Sequence, residues 1–374
     1  ANGNANNLFT VGWFDFPSLY FALQGMGIAL LGNTVPAVRL VSALGGALTV
    51  AGVYWLARVT FDVTMARIAS LILLASHFHM HMSRIALNNV WDGFFAALAV
   101  AGLWYGWNRG RRFGFVAAGL CLGVGQYFYA TIRVLPLVFL LWTAAAFFTE
   151  RQQFRERLPG LILTAYIALI AALPMGLFYA NHPNQLAARS NHVTIFGDWL
   201  ENEVEFSGRT STQIMADQVS KAVRGLVNEP LRFYYEPGVP LLLGAAAMLF
   251  VIGLLWAIYD FDLRYLLLLL PIAATLVIVA SSRDAPAAQR YIMAAPFVVV
   301  FVALPIGLLT QWLRTLWPEH QRLAIVPAVL LVAWIMVSET HFYFSGVYDR
   351  FLLGGPNTLI ATRMAGQLQN EEEP

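Results

Sequence analysis

The sequence predicts an all-α protein, a polytopic bundle of transmembrane helices. Three observations predict it. Of 374 residues, 59% are hydrophobic and 12% are charged, about half the charged share of soluble domains. The runs Phe113–Ile132, Leu158–Ala180, Val239–Tyr259 and Tyr291–Leu313 contain no Asp, Glu, Lys or Arg. Each approaches or exceeds the roughly 20 residues that cross about 30 Å of hydrocarbon. The arginines, finally, are concentrated in alternate connections between apolar segments.

The elements follow in order along the chain. The opening ANGNANNLFT is polar and Asn-rich and reads as the middle of a loop. Pro17–Leu31 is apolar but only 15 residues long, and its leading proline suits a first helical turn. That length predicts an interfacial or re-entrant helix over 17–31, with residues 1–35 forming the end of a first outer loop. About ten spans follow: 36–58, 66–82, 90–107, 113–131, 134–149, 158–180, 239–259, 264–281, 291–313 and 323–344. The first six make an N-terminal bundle over 36–180, the last four a C-terminal bundle over 238–345. Between them lies the long polar segment 181–237. Within it, STQIMADQVSKAVRGLVNEPLRFYY reads as an amphipathic helix ending before Pro230, with Ile214, Val219, Val223, Leu226 and Val227 on its apolar side. A segment this long is either a structural lid or a substrate-contacting loop. Residues 346–374 form a tail whose QLQNEEEP end reads as a link to further sequence.

Positive charge fixes the orientation. Arg58 and Arg67; Arg109, Arg111 and Arg112; Arg151, Arg155 and Arg157; Arg264; and Arg314 and Arg322 put eleven arginines in five short connections. These face the cytoplasm. The segment 181–237 and both ends of the chain then face outward, and the expected location is the inner or plasma membrane. Cys121, the only cysteine, lies in an apolar run and offers no disulfide or thiol motif.

Against this background four outer arginines stand out. Arg39 opens a span in NTVPAVRLVSALGG, Arg84 follows a span end, Arg133 lies at a tight turn in QYFYATIRVLP, and Arg290 begins a span. Charges at a membrane boundary are functional candidates, and a guanidinium fork grips phosphate oxygens. Acids are scarce on that side: Asp15 in VGWFDFPSLYF, Asp92 after Asn88 and Asn89, and Asp284 beside Arg283. A boundary carboxylate serves as general base, ligand of a divalent cation, or helix cap. His77, His79 and His81 alternate, but no acidic third ligand lies nearby in sequence, so a metal site is weakly supported. His182 opens the long segment where it can touch a headgroup or sugar. Tyr129 belongs to a crowd of outer aromatics that serve as an interfacial belt or as stacking faces for sugars.

The succession FDFPSLYFAL, VRLVSALGGALTVAGVYWLARVTF, ARIASLILLAS and SRIALNNVWDGFFAALA resembles bacterial GT-C glycosyltransferases of the protein O-mannosyltransferase and aminoarabinose-transferase branch. QYFYATIRVLPLVFLL and NHPNQLAARSNHVTIF resemble the same branch. The resemblance implies a sugar carried on a polyprenyl phosphate and transferred, with inversion, to an acceptor protein, lipid or glycan at the outer face; no nucleic acid is expected. It implies arginines that neutralise the departing lipid phosphate and an acid in the first outer loop that deprotonates the acceptor. Asp15 takes the place often filled by histidine in that family's histidine–proline stretch. Arg39 matches the arginine opening the next span, and Arg84 and Asp92 match the second outer loop. The sequence departs from the pattern in one respect: the family's catalytic acid lies further upstream, directly after a first span. The resemblance thus implies that the principal base is missing from this sequence and that Asp15 is a substitute for it. Asp15 and Asp92 are the candidate catalytic acids here, with Arg39, Arg84, Asn88, Tyr129, Arg133, His182 and Arg290 as candidate binding residues. A transporter or flippase of lipid-linked glycan also needs boundary arginines and is the alternative.

Overall fold

The computed structural model describes residues 8–12, 15–235, 238–283 and 285–347, together with Ile360 and Met364. Trp13, Phe14, Asp284 and most of the 346–374 tail, all noted above, lie outside the described residues.

The short helix expected after Pro17 is α1 (Leu19–Leu31), and it is followed by α2 (Val35–Thr60), which Thr34 caps and Pro36 enters. α3 (Val63–Ala75) and α4 (His77–Arg84) follow one another with a bend of 59° at Ser76 and are together apolar enough for one span. Next come α5 (Val90–Arg109), α6 (Arg112–Gly125), α7 (Leu135–Thr149) and α8 (Arg151–Asn181). The intervening segment folds into α9 (Pro183–Val193), α10 (Asp198–Ser207) and α11 (Ser211–Arg224). α12 (Gly244–Tyr259), α13 (Leu263–Ala280), α14 (Ala295–Leu316) and α15 (Val326–His341) complete the bundle.

Nine of the ten expected spans each correspond to a helix, and the tenth, 66–82, to the bent pair α3–α4. Among the described residues only six are by themselves long and apolar enough to cross a membrane, or seven if bent α3–α4 counts as one. The shortfall has local causes. α6 stops at Gly125, where the chain turns through Gln126–Ala130 instead of continuing to 131, and α12 starts only at Gly244. α5 carries Asp92 in its first turn and Arg109 in its last. The chain is a multi-pass membrane protein of helical architecture.

Small residues let the N-terminal helices approach closely. A Cβ added at Gly102 of α5 would sit 2.7 Å from the Gly114 carbonyl of α6, the kind of contact that drives helix association in lipid, where the hydrophobic effect between helices is absent. α14 is the central helix, buried continuously from Ala295 to Leu304. α8 is its opposite: Ile162, Leu169, Ile170, Leu173 and Leu177 are exposed, as suits a lipid-facing surface.

The two ends of the bundle separate as the arginine pattern requires. At the arginine-rich end, Arg157 Nε donates to the Trp107 carbonyl (2.9 Å), Gln311 donates to Asp62 (3.1 Å), and Arg264 lies over the Phe61 ring. At the other end, Arg133 reaches Leu186, Arg283 reaches Thr194, and Asn89 reaches Gln289. Contacts thus join connections of the same predicted side.

The amphipathic helix of the long segment is α11, opened by a capping box between Thr210 and Gln213. Its buried stripe differs from the expected one. Ile214, Gln218 and Ala222 are buried, and Leu226 continues their line, while Val219 and Val223 are about half exposed. The backbone carbonyl of Ala222 accepts the Tyr291 hydroxyl (2.7 Å), which holds this face of α11 against the start of the 291–313 region.

Candidate functional site

The site is built on the start of α5. Asn88 Nδ2 donates to the Phe128 carbonyl (2.9 Å), and Asn89 Nδ2 donates to the Gln289 carbonyl (2.7 Å). Two adjacent amides thereby tie this helix start to the 126–130 turn and to the 3-10 segment Ala288–Met293. One turn on, Asp92 is fully buried and accepts a hydrogen bond from the Thr131 hydroxyl, with the Ile132 backbone also within hydrogen-bonding reach. Thr131 begins the 3-10 turn Thr131–Val134 that presents Arg133.

Arg133 faces the end of α8. Its Nη1 donates to the Leu186 carbonyl (2.9 Å), its Nη2 bonds the Tyr179 hydroxyl, and the guanidinium lies 4.9 Å from the centre of that ring. His182 is exposed nearby, stacked on Phe178 at 4.6 Å. Asp15 belongs to the same flank. It adopts a left-handed conformation (φ 59°), its carboxylate lies 4.0 Å from His192 of α9, and its side chain is 36% exposed. The next residue, Phe16, packs on the ring of Tyr129 at 5.5 Å.

Arg290 occupies the buried middle of this end, on the 3-10 segment Ala288–Met293, next to the Gln289 that Asn89 holds. Arg84 ends α4 on the other flank, with its guanidinium 5.9 Å and 5.6 Å from the ring centres of Tyr343 and Phe344. Arg39 is exposed in the second turn of α2, close enough to act electrostatically on His81, as Arg84 also does.

All nine candidate residues therefore lie at the end of the bundle opposite the arginine-rich connections, in three groups. Asp15, Tyr129, Arg133 and His182 share one flank, Asn88, Asp92 and Arg290 the buried middle, and Arg39 and Arg84 the other flank. The two acids differ sharply. Asp15 is open to solvent, whereas Asp92 is enclosed and engaged by Thr131, a position suited to holding the Arg133 turn.

The alternating histidines are each engaged by a different element. His77 Nδ1 bonds the Glu339 carboxylate of α15, and its Nε2 lies 3.3 Å from the Pro240 carbonyl. His79 Nε2 meets the Gly46 carbonyl (3.1 Å), and His81 Nε2 meets the Tyr234 carbonyl (2.9 Å). These contacts pin the bent α3–α4 span. Among the described residues no three His, Cys, Asp or Glu side chains gather as a metal-holding set. Sequence reasoning missed Glu339, Thr131 and Tyr179. Glu339 had a signal, an acid inside an apolar run; the other two had none, because their partners lie 39 and 46 positions away.

The chain is similar to several known proteins. The family model for dolichyl-phosphate-mannose-protein mannosyltransferases matches residues 15–178, a stretch holding every candidate residue except His182 and Arg290. The undecaprenyl phosphate-alpha-4-amino-4-deoxy-L-arabinose arabinosyl transferase of Pseudomonas paraeruginosa is 27% identical over 202 residues, which is 52% of this chain and 35% of that protein. Among solved structures, the oligosaccharyltransferase AglB from Archaeoglobus fulgidus, in complex with an inhibitory peptide and a dolichol-phosphate, is similar with a TM-score of 0.61 at 16% identity, over 94% of this chain and 50% of that one. ArnT from Cupriavidus metallidurans bound to undecaprenyl phosphate gives 0.59 at 16% identity, over 93% and 65%. The chain thus spans between about a third and two thirds of the length of these relatives. The chain has the fold of these two solved structures.

Proposed function

We propose, from a GT-C fold with its boundary arginines gathered at one end, that this chain belongs to a glycosyltransferase moving a sugar from a polyprenyl-phosphate donor to an acceptor at the outer face of the cell membrane. The observation that carries the reading is that Arg39, Arg84, Arg133 and Arg290 all belong to one end of the bundle, the end where Asn88, Asn89 and Asp92 tie α5 to its neighbours. Transfer breaks the bond between the anomeric carbon and the phosphate oxygen, and the electron pair leaves with the phosphate. Preorganised guanidinium groups stabilise that developing charge at little reorganisation cost.

The acceptor hydroxyl attacks the anomeric carbon from the opposite side, which inverts its configuration, and its proton passes to a base. Asp15 is the candidate acid with access to solvent, so it takes the role of base. Asp92 takes the positioning role, through Thr131 and the turn bearing Arg133. An apolar cavity of about 530 Å³ between α6, α7 and α8, lined by Leu122, Phe139, Leu140, Leu161 and Leu169, has Gln126 at its margin and suits an isoprenoid chain.

The competing reading, a transporter of lipid-linked glycan, expects mobile charges or broken helices near the midplane. The bent α3–α4 span is the feature it would use. His77, His79 and His81 bind that span to three other segments, which favours chemistry at one face over passage. The test is transfer from a polyprenyl-phosphate-linked sugar in membranes containing the native protein. Arg84→Ala is expected to abolish transfer while the protein still folds; undiminished transfer would refute the assignment.

A further inference from the structure

A second polar cavity lies apart from the arginine cluster, in the segment between the two bundles. It measures about 310 Å³ and is enclosed by α10, α11 and the stretches around 232 and 283. Lys221, Arg209, Arg232 and Arg283 line it, against two acids, Asp217 and Glu203. Asp217 is already engaged, with Lys221 at 2.9 Å and Arg209 at 3.7 Å, and the Lys221 ammonium holds its carboxyl below the usual carboxylate range. The cavity is left with an excess of positive charge.

Two further features point to a ligand. Gln218 is 5% exposed and lines the cavity, and its buried Oε1 meets no donor among the described residues. A buried polar atom is normally satisfied, so this oxygen is poised for a donor that arrives with a ligand. Trp199 and Phe233 also line the cavity, and ring faces of this kind pack against the C–H face of a sugar. Phe233 is presented by a strained backbone: Phe233 and Tyr234 have φ of 57° and 55°, a conformation costly for bulky residues. Hydrogen bonds hold this strap: Arg232 N–H donates to Pro286 (3.0 Å), Ala288 N–H donates to Arg232 (2.8 Å), and the Tyr234 carbonyl meets His81. Ala288 starts the segment that carries Arg290, so one wall of the cavity is continuous with the proposed donor site.

From this combination we propose that the cavity binds a saccharide bearing an anionic oxyacid group, phosphate or carboxylate. The guanidinium and ammonium groups take the anion, Gln218 Oε1 accepts from a hydroxyl, and the aromatic rings cover the sugar face. The binding stands independently; its service as the acceptor pocket rests on the transferase reading.

The experiment titrates the purified full chain in detergent with glucose 6-phosphate, glucuronate and glucose, and measures undecaprenyl phosphate binding in parallel. At least one of the two anionic sugars is expected to bind, and glucose to bind at least about tenfold more weakly, as loss of a charge-assisted contact implies. The difference between glucose 6-phosphate and glucuronate identifies the oxyacid. Arg232→Gln with Arg283→Gln, two exposed side chains whose removal spares the core, is expected to weaken the anionic sugar about tenfold or more. Trp199→Ala should weaken it as well. Equal binding of glucose, binding of none of the three, or binding indifferent to the double substitution would overturn the proposal. Loss of undecaprenyl phosphate binding alone would count against the donor reading and leave the saccharide site standing.

Discussion

Thr131→Val is the sharpest perturbation of the buried scaffold, because it keeps the side-chain shape and removes only the hydroxyl that serves Asp92. Asp92 has no exposure, so water cannot replace the lost donor. A hydrogen bond to a charged or strongly polar group contributes about 1.5–3 kcal/mol, and leaving its partner buried and short of donors adds to the loss. The nearby Ile132 backbone offsets part of this, which brings the expected cost to about 2 kcal/mol. Asp92→Asn retains an accepting oxygen and should cost less. If the two side chains act as one unit, Thr131→Val combined with Asp92→Ala should cost little more than Asp92→Ala alone, with a coupling of about 1–2 kcal/mol. The assay is unfolding in mixed detergent–SDS micelles, followed by tryptophan fluorescence, on the four members of the cycle. A Thr131→Val cost below about 0.5 kcal/mol, or strict additivity, would refute the claim that this pair holds the Arg133 turn.

Two other predictions follow from the same end of the molecule. His77→Ala takes the imidazole from buried Glu339 and leaves it the residue-77 backbone N–H, which donates to the same carboxylate (3.0 Å); the loss should be about 3 kcal/mol, and replacing both side chains by apolar residues should recover most of it in the same unfolding assay. Asp15→Asn should abolish sugar transfer in membranes while undecaprenyl phosphate still binds; retained transfer would remove Asp15 from the role of base.

Much of this architecture was legible in the sequence, and for physical reasons. A lipid-exposed helix must hide every backbone polar group internally and show only apolar side chains, so Leu158–Ala180 announced α8. The arginines of the short connections announced which ends lie together, and the Gln311–Asp62 and Asn89–Gln289 contacts agree with that division. Less legible was anything that depends on tertiary placement. The bend at Ser76 has a local part, since the Ser76 hydroxyl caps α4 by accepting from His79 N–H, but the contacts that hold the bent pair join the three histidines to Glu339, Gly46 and Tyr234, remote in sequence by 262, 33 and 153 positions. The buried stripe of α11 differs from the apolar one because valines at 219 and 223 are more apolar than Gln218, yet the face held by Tyr291, through the Ala222 backbone carbonyl, is the one that carries Gln218 and Ala222. At the candidate site, charge placement picks out Arg39, Arg84, Arg133 and Arg290 from sequence alone, and the structure puts all four at the same end of the bundle. The distinction between an open Asp15 and an enclosed Asp92 required the packing of Thr131 against α5.

The central claim is that this end of the bundle receives a lipid phosphate. The most direct measurement compares binding of undecaprenyl phosphate and undecaprenol to the purified chain, with and without Arg84→Gln and Arg290→Gln. The account predicts that the phosphate binds more tightly by at least about tenfold and that the double substitution erases most of that preference, since each guanidinium–phosphate contact is charge-assisted. Equal affinity for phosphate and alcohol, or a preference that survives loss of both arginines, would contradict it.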